Sequence, residues 1–189
     1  FNHAGLCGID IEDGKLLWSS PFPHRGNRQN TPTPARAGNI FVVGGEDRSV
    51  FGLQVRKATN GWEAKRLWEH REAALDMSSP IVHEGMVYGF SLSKSGQFFC
   101  LDPESGDMLW RGEARMGDHA QLLSLPGCIL TLTDDGSCRI LRASSEKFEL
   151  VQRYQVADGQ TWTAPALVHD RLLIKELNHL TSWGLPESK

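Results

Sequence analysis

The chain has 189 residues, 40% hydrophobic and 23% charged, which is enough apolar content to bury a core. Its 20 basic and 23 acidic side chains leave a net charge of −3, without the basic excess of a phosphate-driven nucleic-acid binder. No apolar run approaches the roughly 18 residues of a membrane span, and 19 glycines with 9 prolines suit many short strands joined by turns.

The first element reads Leu6-Cys7-Gly8-Ile9-Asp10, then Asp13-Gly14, then Lys15-Leu16-Leu17-Trp18: a strand, a turn and a strand. A polar run, Arg25, Asn27, Arg28, Gln29 and Asn30, leads to Thr33–Val43, read as two short strands around a tip at Gly38. Val50–Val55 alternates like a strand, a turn is expected at Asn60-Gly61, and Ala64–Trp68 closes the unit. The connection His70-Arg71-Glu72 to Asp76 reads as a solvated charged linker. Ser79–Gly89 then repeats Thr33–Val43, and Phe98–Trp110 repeats Leu6–Trp18, with Asp102, Gly106 and Trp110 in place of Asp10, Gly14 and Trp18. Leu123–Leu132 is a degenerate copy of the tip element, followed by Cys138–Arg142, a turn at Ser144-Ser145 and Phe148–Tyr154, where Tyr154 replaces the tryptophan. Ala164–Ile174 and Leu180–Leu185 end the series.

Trp18 and Trp110 lie 92 residues apart, two units of 46. A unit of four strands and three turns at that period is a propeller blade. The expected fold is all-β: a β-propeller of about four four-stranded antiparallel blades, forming a partial ring within one domain, 1–189. Its divisions are the end of a blade at 1–20, blades at 31–70, 78–112 and 120–156, and an incomplete blade at 162–186. The recurring tryptophan has the size to fill the seam between blades, so Trp18, Trp68 and Trp110 read as structural.

The pattern of an apolar strand, Ile/Leu-Asp, a Gly four residues on and a Trp four beyond it resembles the quinoprotein-type, or PQQ-like, propeller repeat. Gly8-Ile9-Asp10 with Gly14 and Trp18, and Cys100-Leu101-Asp102 with Gly106 and Trp110, carry the resemblance; Asp13 and Ser105 stand where that repeat usually has Thr. It is similar to the outer-membrane assembly lipoprotein-like propellers and implies the C-terminal half of a larger ring, since the chain opens within one blade and ends after the third strand of another. The implied function is a non-catalytic binding or scaffolding propeller with a protein or glycan partner, in the periplasm or outside the cell. Two copies closing one ring is a further expectation. The alternative is part of a PQQ-dependent dehydrogenase; only that reading calls for PQQ and calcium, and the first calls for no cofactor. The vicinal cysteine pair of the dehydrogenases is missing, as Cys7, Cys100, Cys128 and Cys138 are all apart and read as strand residues.

Aligning the repeats places several polar residues at equivalent points, before the innermost strand of each blade. Arg28 and Asn30, Asp76 (followed by Met77), His119 and Gln121, and Trp162 (preceded by Gln160 and Thr161) are the expected contacts of a ligand at the channel mouth. Asp134-Asp135-Gly136 lacks the later acidic positions of a calcium loop and reads as a hairpin closure.

Overall fold

The computed structural model describes residues 1–24, 26, 29–46 and 48–185. Its strands form five antiparallel sheets in strict chain order. The first pairs β1 (Gly5–Ile9) with β2 (Leu16–Pro21). The second runs β3 (Ala35–Ala37), β4 (Ile40–Gly45), β5 (Arg48–Ala58) and β6 (Gly61–His70). The third runs β7 (Ile81–His83), β8 (Met86–Ser91), β9 (Gln97–Leu101) and β10 (Met108–Arg111). The fourth runs β11 (Ala120–Leu125), β12 (Cys128–Thr133), β13 (Ser137–Arg142) and β14 (Leu150–Gln155). The last holds β15 (Ala166–Val168), β16 (Arg171–Lys175) and β17 (Leu180–Gly184). Three complete four-stranded blades thus stand between a two-stranded and a three-stranded sheet, and the first strands β3, β7 and β11 of successive blades are neighbours. This is a partial β-propeller.

The middle strands are continuously apolar because both of their faces are covered. In β9, Phe98 and Cys100 enter the cluster shared with Ala120, Leu122, Ile129 and Leu141 of the next blade, while Phe99 and Leu101 enter the cluster shared with Val42 and Val50 of the preceding one. In β5, Val50 faces forward, and Phe51, Leu53 and Val55 face back toward Leu6 and Phe22. Leu130, Leu132 and Cys138 meet Leu172 and Ile174 in the last junction. Period-two alternation therefore sends successive side chains into successive blade interfaces, and each fully buried Phe or Leu contributes about 1.5–3 kcal/mol.

The connections Asp10–Lys15 and Asp102–Asp107 share one geometry. Asp10 and Asp102 each accept a backbone N–H two residues on, from Glu12 at 2.9 Å and Glu104 at 2.7 Å. Gly14 N–H donates to the Asp10 carbonyl and Gly106 N–H to the Asp102 carbonyl, with φ of 73° and 80° at the two glycines. A side chain at that φ is strained, so the Asp-to-Gly spacing seen in the sequence is the turn itself.

The second blade departs from this pattern. Its ladder continues through Val55↔Ala64, Arg56↔Glu63, Lys57↔Trp62 and Ala58↔Gly61. Where the first and third sheets turn back at an aspartate, β5 and β6 extend as a long hairpin closed at Thr59-Asn60.

Trp68 shows what each recurring tryptophan can do. Its indole lies over Gly52 of its own blade, where an added Cβ would sit 2.4 Å from the ring. Its other side covers Gly106 of the next blade, again 2.4 Å from an ideal Cβ, and its Nε1–H donates to the Pro103 carbonyl at 2.9 Å. Trp110 repeats the bond onto the Ser144 carbonyl at 2.7 Å. Trp68→Ala is expected to cost about 3–5 kcal/mol and Gly52→Ala to destabilise through the clash. Trp68→Phe, which keeps the ring stack but orphans the Pro103 carbonyl, should cost about 1–2 kcal/mol. Urea unfolding midpoints check the order Trp68→Ala above Trp68→Phe.

Candidate functional site

The residues expected at the channel mouth occupy three separate junctions. Asn30 lies between the first two sheets, where its Nδ2 donates to the carbonyls of Asn2 at 2.7 Å and Phe22 at 3.0 Å and its Oδ1 accepts from Arg48. Asp76 sits half-buried in the connection between the second and third blades, at a φ of 48°, beside exposed Met77. Arg28, with Arg25 and Asn27, lies outside the described residues.

His119, Gln121, Thr161 and Trp162 do come together, at the junction of the fourth blade and the last sheet. Thr161 is fixed first: its N–H donates to the Asp134 carbonyl at 3.1 Å and its hydroxyl to the Thr133 carbonyl at 2.8 Å. Its own carbonyl faces His119 Nε2 at 2.9 Å. A carbonyl only accepts, so Nε2 carries the proton. The His119 ring is buried and stacks on the Trp162 indole, with centroids 4.4 Å apart and planes 24° from parallel. Gln121 Nε2 reaches the Trp162 carbonyl at 3.5 Å. Asp134 holds the entry to β11 by accepting the N–H groups of Asp118 at 2.9 Å and His119 at 3.3 Å. Trp162 nevertheless remains 51% exposed. The result is a flat aromatic surface clamped from behind and open in front.

The Asp134-Asp135-Gly136 segment closes the β12–β13 hairpin. Asp135 Oδ1 accepts from Thr133 Oγ1 at 2.6 Å and Ser137 N–H at 3.0 Å. Neighbouring Arg139 is buried and donates to Thr133 Oγ1 at 2.6 Å; burial lowers its pKa. Among the described residues, no three His, Cys, Asp or Glu side chains are placed to hold one metal ion, and the four cysteines are free.

Sequence reasoning missed Trp183, which lies on a third strand rather than a fourth. It donates back to the Val156 carbonyl at 3.1 Å and helps line an apolar cleft of about 670 Å³ beside Tyr154. Its place outside the Asp–Gly–Trp spacing hid it. Tyr154, read as a stand-in for the recurring tryptophan, is 53% exposed. It pairs with Cys138 in the register where Trp68 pairs with Gly52, and lines the cleft toward Leu172 and Trp183; Phe148 packs in the preceding seam, against Phe98 and Trp110.

Blades of four antiparallel strands, Asp-to-Gly turns and indoles bonded across the seams define a propeller built from quinoprotein-type repeats. Residues 1–114 match the family described as outer membrane protein assembly factor BamB, and the chain belongs to that family. It is 24% identical over 162 residues to the outer membrane protein assembly factor BamB of Salmonella typhimurium, a match covering 79% of this chain and 38% of that protein. The chain therefore spans well under half the length of this curated relative. Among solved structures it resembles the computationally designed Ika8 protein, with a TM-score of 0.70 and 14% identity over 97% of this chain and 54% of that one. It also resembles the WD40 β-propeller domain of Doa1, with a TM-score of 0.62 and 16% identity over 90% of this chain and 54% of that one.

The buried thiols give a pH signature. Burial pushes Cys100 from its ordinary 9.0 up to about 12 and Cys138 up to about 11, with the Tyr88 contact and Arg139, respectively, opposing the rise. In the unfolded chain both ionise near 9.0, so their contribution to stability is intact below that pH and is lost as pH rises through about 11 to 12. The urea midpoint should fall from pH 9 to pH 11, and fall less steeply in Cys100→Ala.

Proposed function

We propose that the chain is a non-catalytic scaffolding propeller that acts in the periplasm, in outer-membrane protein assembly, by binding a protein partner at the mouth of its arc. The observation that carries this reading is Trp162. A half-exposed indole stacked on buried His119 has already lost the rotamer freedom that binding would otherwise remove. Rigid, central tryptophans of this kind dominate protein interfaces. Gln121, whose amide reaches the Trp162 carbonyl, supports a polar contact beside it. Family membership supports the assembly role, and the polar clamp behind Trp162 supports a binding surface rather than a reaction centre.

The test uses the tagged full chain and detergent-solubilised outer-membrane assembly machinery from the producing cell. The wild type should retain that machinery, and Trp162→Ala should weaken retention at least about tenfold, some 1.4 kcal/mol, with an unchanged far-UV circular dichroism spectrum. Equal retention by the two would overturn the reading. Self-association lost in Trp162→Ala, measured by light scattering, would assign the surface to a second copy, and retention by immobilised glycan would assign it to a sugar.

A further inference from the structure

The recurring tryptophan has two settings in this molecule. Trp68 and Trp110 each donate an indole N–H to a carbonyl in the next blade's connection between third and fourth strands, from Pro103 and Ser144. Trp18 has the same local start: its indole lies over Gly8, 2.1 Å from an ideal Cβ there, as Trp68 lies over Gly52. Yet among the described residues Trp18 Nε1–H makes no hydrogen bond. The cause is the long hairpin of the second blade. Because the ladder runs on from Val55 to Ala58, the turn that would sit against Trp18 is carried away to Thr59-Asn60.

An open cleft of about 520 Å³ takes that turn's place. Trp18, Phe41 and Trp62 give it aromatic walls, and Arg36, Arg56 and Lys57 give it a cationic rim. Trp18 and Phe41 are 6.1 Å apart between ring centroids, and Trp62 is 41% exposed. Arg56 is paired with Glu63 at 2.9 Å, and Arg36 Nε donates to the Gly38 carbonyl at 2.8 Å, which fixes the head of each. Lys57 is exposed and has no ion pair among the described residues. The third blade shows one turn this indole takes: the connection against Trp68 reads Asp102-Pro103-Glu104-Ser105-Gly106-Asp107, with three carboxylates.

We propose that the cleft between β2 and the β5–β6 hairpin is a docking site for an acidic turn of a partner protein, with Trp18 Nε1–H donating to a carbonyl of that turn and Arg36 and Lys57 facing its carboxylates. The occupant copies from outside the contact that Asp102–Asp107 makes from inside against Trp68. The site lies away from Trp162, so it succeeds or fails independently of the channel-mouth reading.

The probe is a head-to-tail cyclised peptide carrying Leu101 to Met108 of this chain, titrated into isotope-labelled full chain while the indole N–H resonances are followed. Trp18→Phe assigns the Trp18 resonance. That resonance should shift saturably while Trp68, already bonded, stays still. Trp18→Phe should weaken binding about fivefold, the loss of one hydrogen bond. Lys57→Glu, a change on an exposed hairpin that leaves the fold alone, should weaken it at least as much. A motionless Trp18 resonance, or an equal shift from a scrambled peptide of the same composition, would overturn the proposal. So would a shift produced by raising the protein concentration alone, which would give the cleft to a second copy.

Discussion

The seam contact made by one indole organises the arc. The blades share no continuous backbone ladder, so side chains do most of the work of holding one blade to the next. Apolar clusters supply most of the energy but are non-directional; four of them lie between five sheets. The Trp68 and Trp110 hydrogen bonds supply the register. Each works only if the next blade offers its carbonyl at one height and, at Trp68, if two glycines leave the ring room on both sides. Sequence spacing is thereby converted into blade-to-blade alignment.

That dependence explains what could be read in the sequence. The Asp-to-Gly turns and the tryptophans were visible because each has one chemical solution: an aspartate oxygen accepting a backbone N–H two residues on, a glycine at positive φ, and an indole needing a flat seat. The unbroken apolar runs of β5 and β9 marked strands covered on both faces. The positive φ at Gly38, Gly85 and Gly127 follows from the same reasoning about hairpin tips.

Other features left no such trace. Nothing in Arg56-Lys57-Ala58 separates a hairpin that continues from one that turns back, since both conformations leave these side chains in water; pairing decides it. Tyr154 holds the tryptophan's register opposite Cys138, yet it is 53% exposed, because the last sheet offers it only an open cleft beside Trp183. Of the residues aligned by repeat before each first strand, Gln121 lies within β11 itself, and the other described ones differ in their contacts. His119 and Trp162 found each other, whereas Asn30 was taken up by the carbonyls of Asn2 and Phe22. Repeat alignment carries backbone position from blade to blade. It does not carry partners, because those depend on the neighbouring blade's own side chains.

A repeated fold makes binding surfaces where a repeat fails. Where the pattern is kept, polar groups are answered across the junction, as Thr161 answers His119 and Ser78 Oγ answers the Ala120 N–H at 3.0 Å. Where it is broken, a group built for an internal partner is left facing solvent on a rigid frame. Trp18 keeps its seat on Gly8 but meets no carbonyl among the described residues, because one hairpin grew, and Trp162 stacks on His119 yet stays 51% exposed. Both indoles are ordered before any partner arrives, so little conformational entropy remains to be lost on contact. The two surfaces arise from opposite departures, an inserted ladder and an unfilled stack. A blade can thus acquire a partner without any change to the core that holds it in the ring.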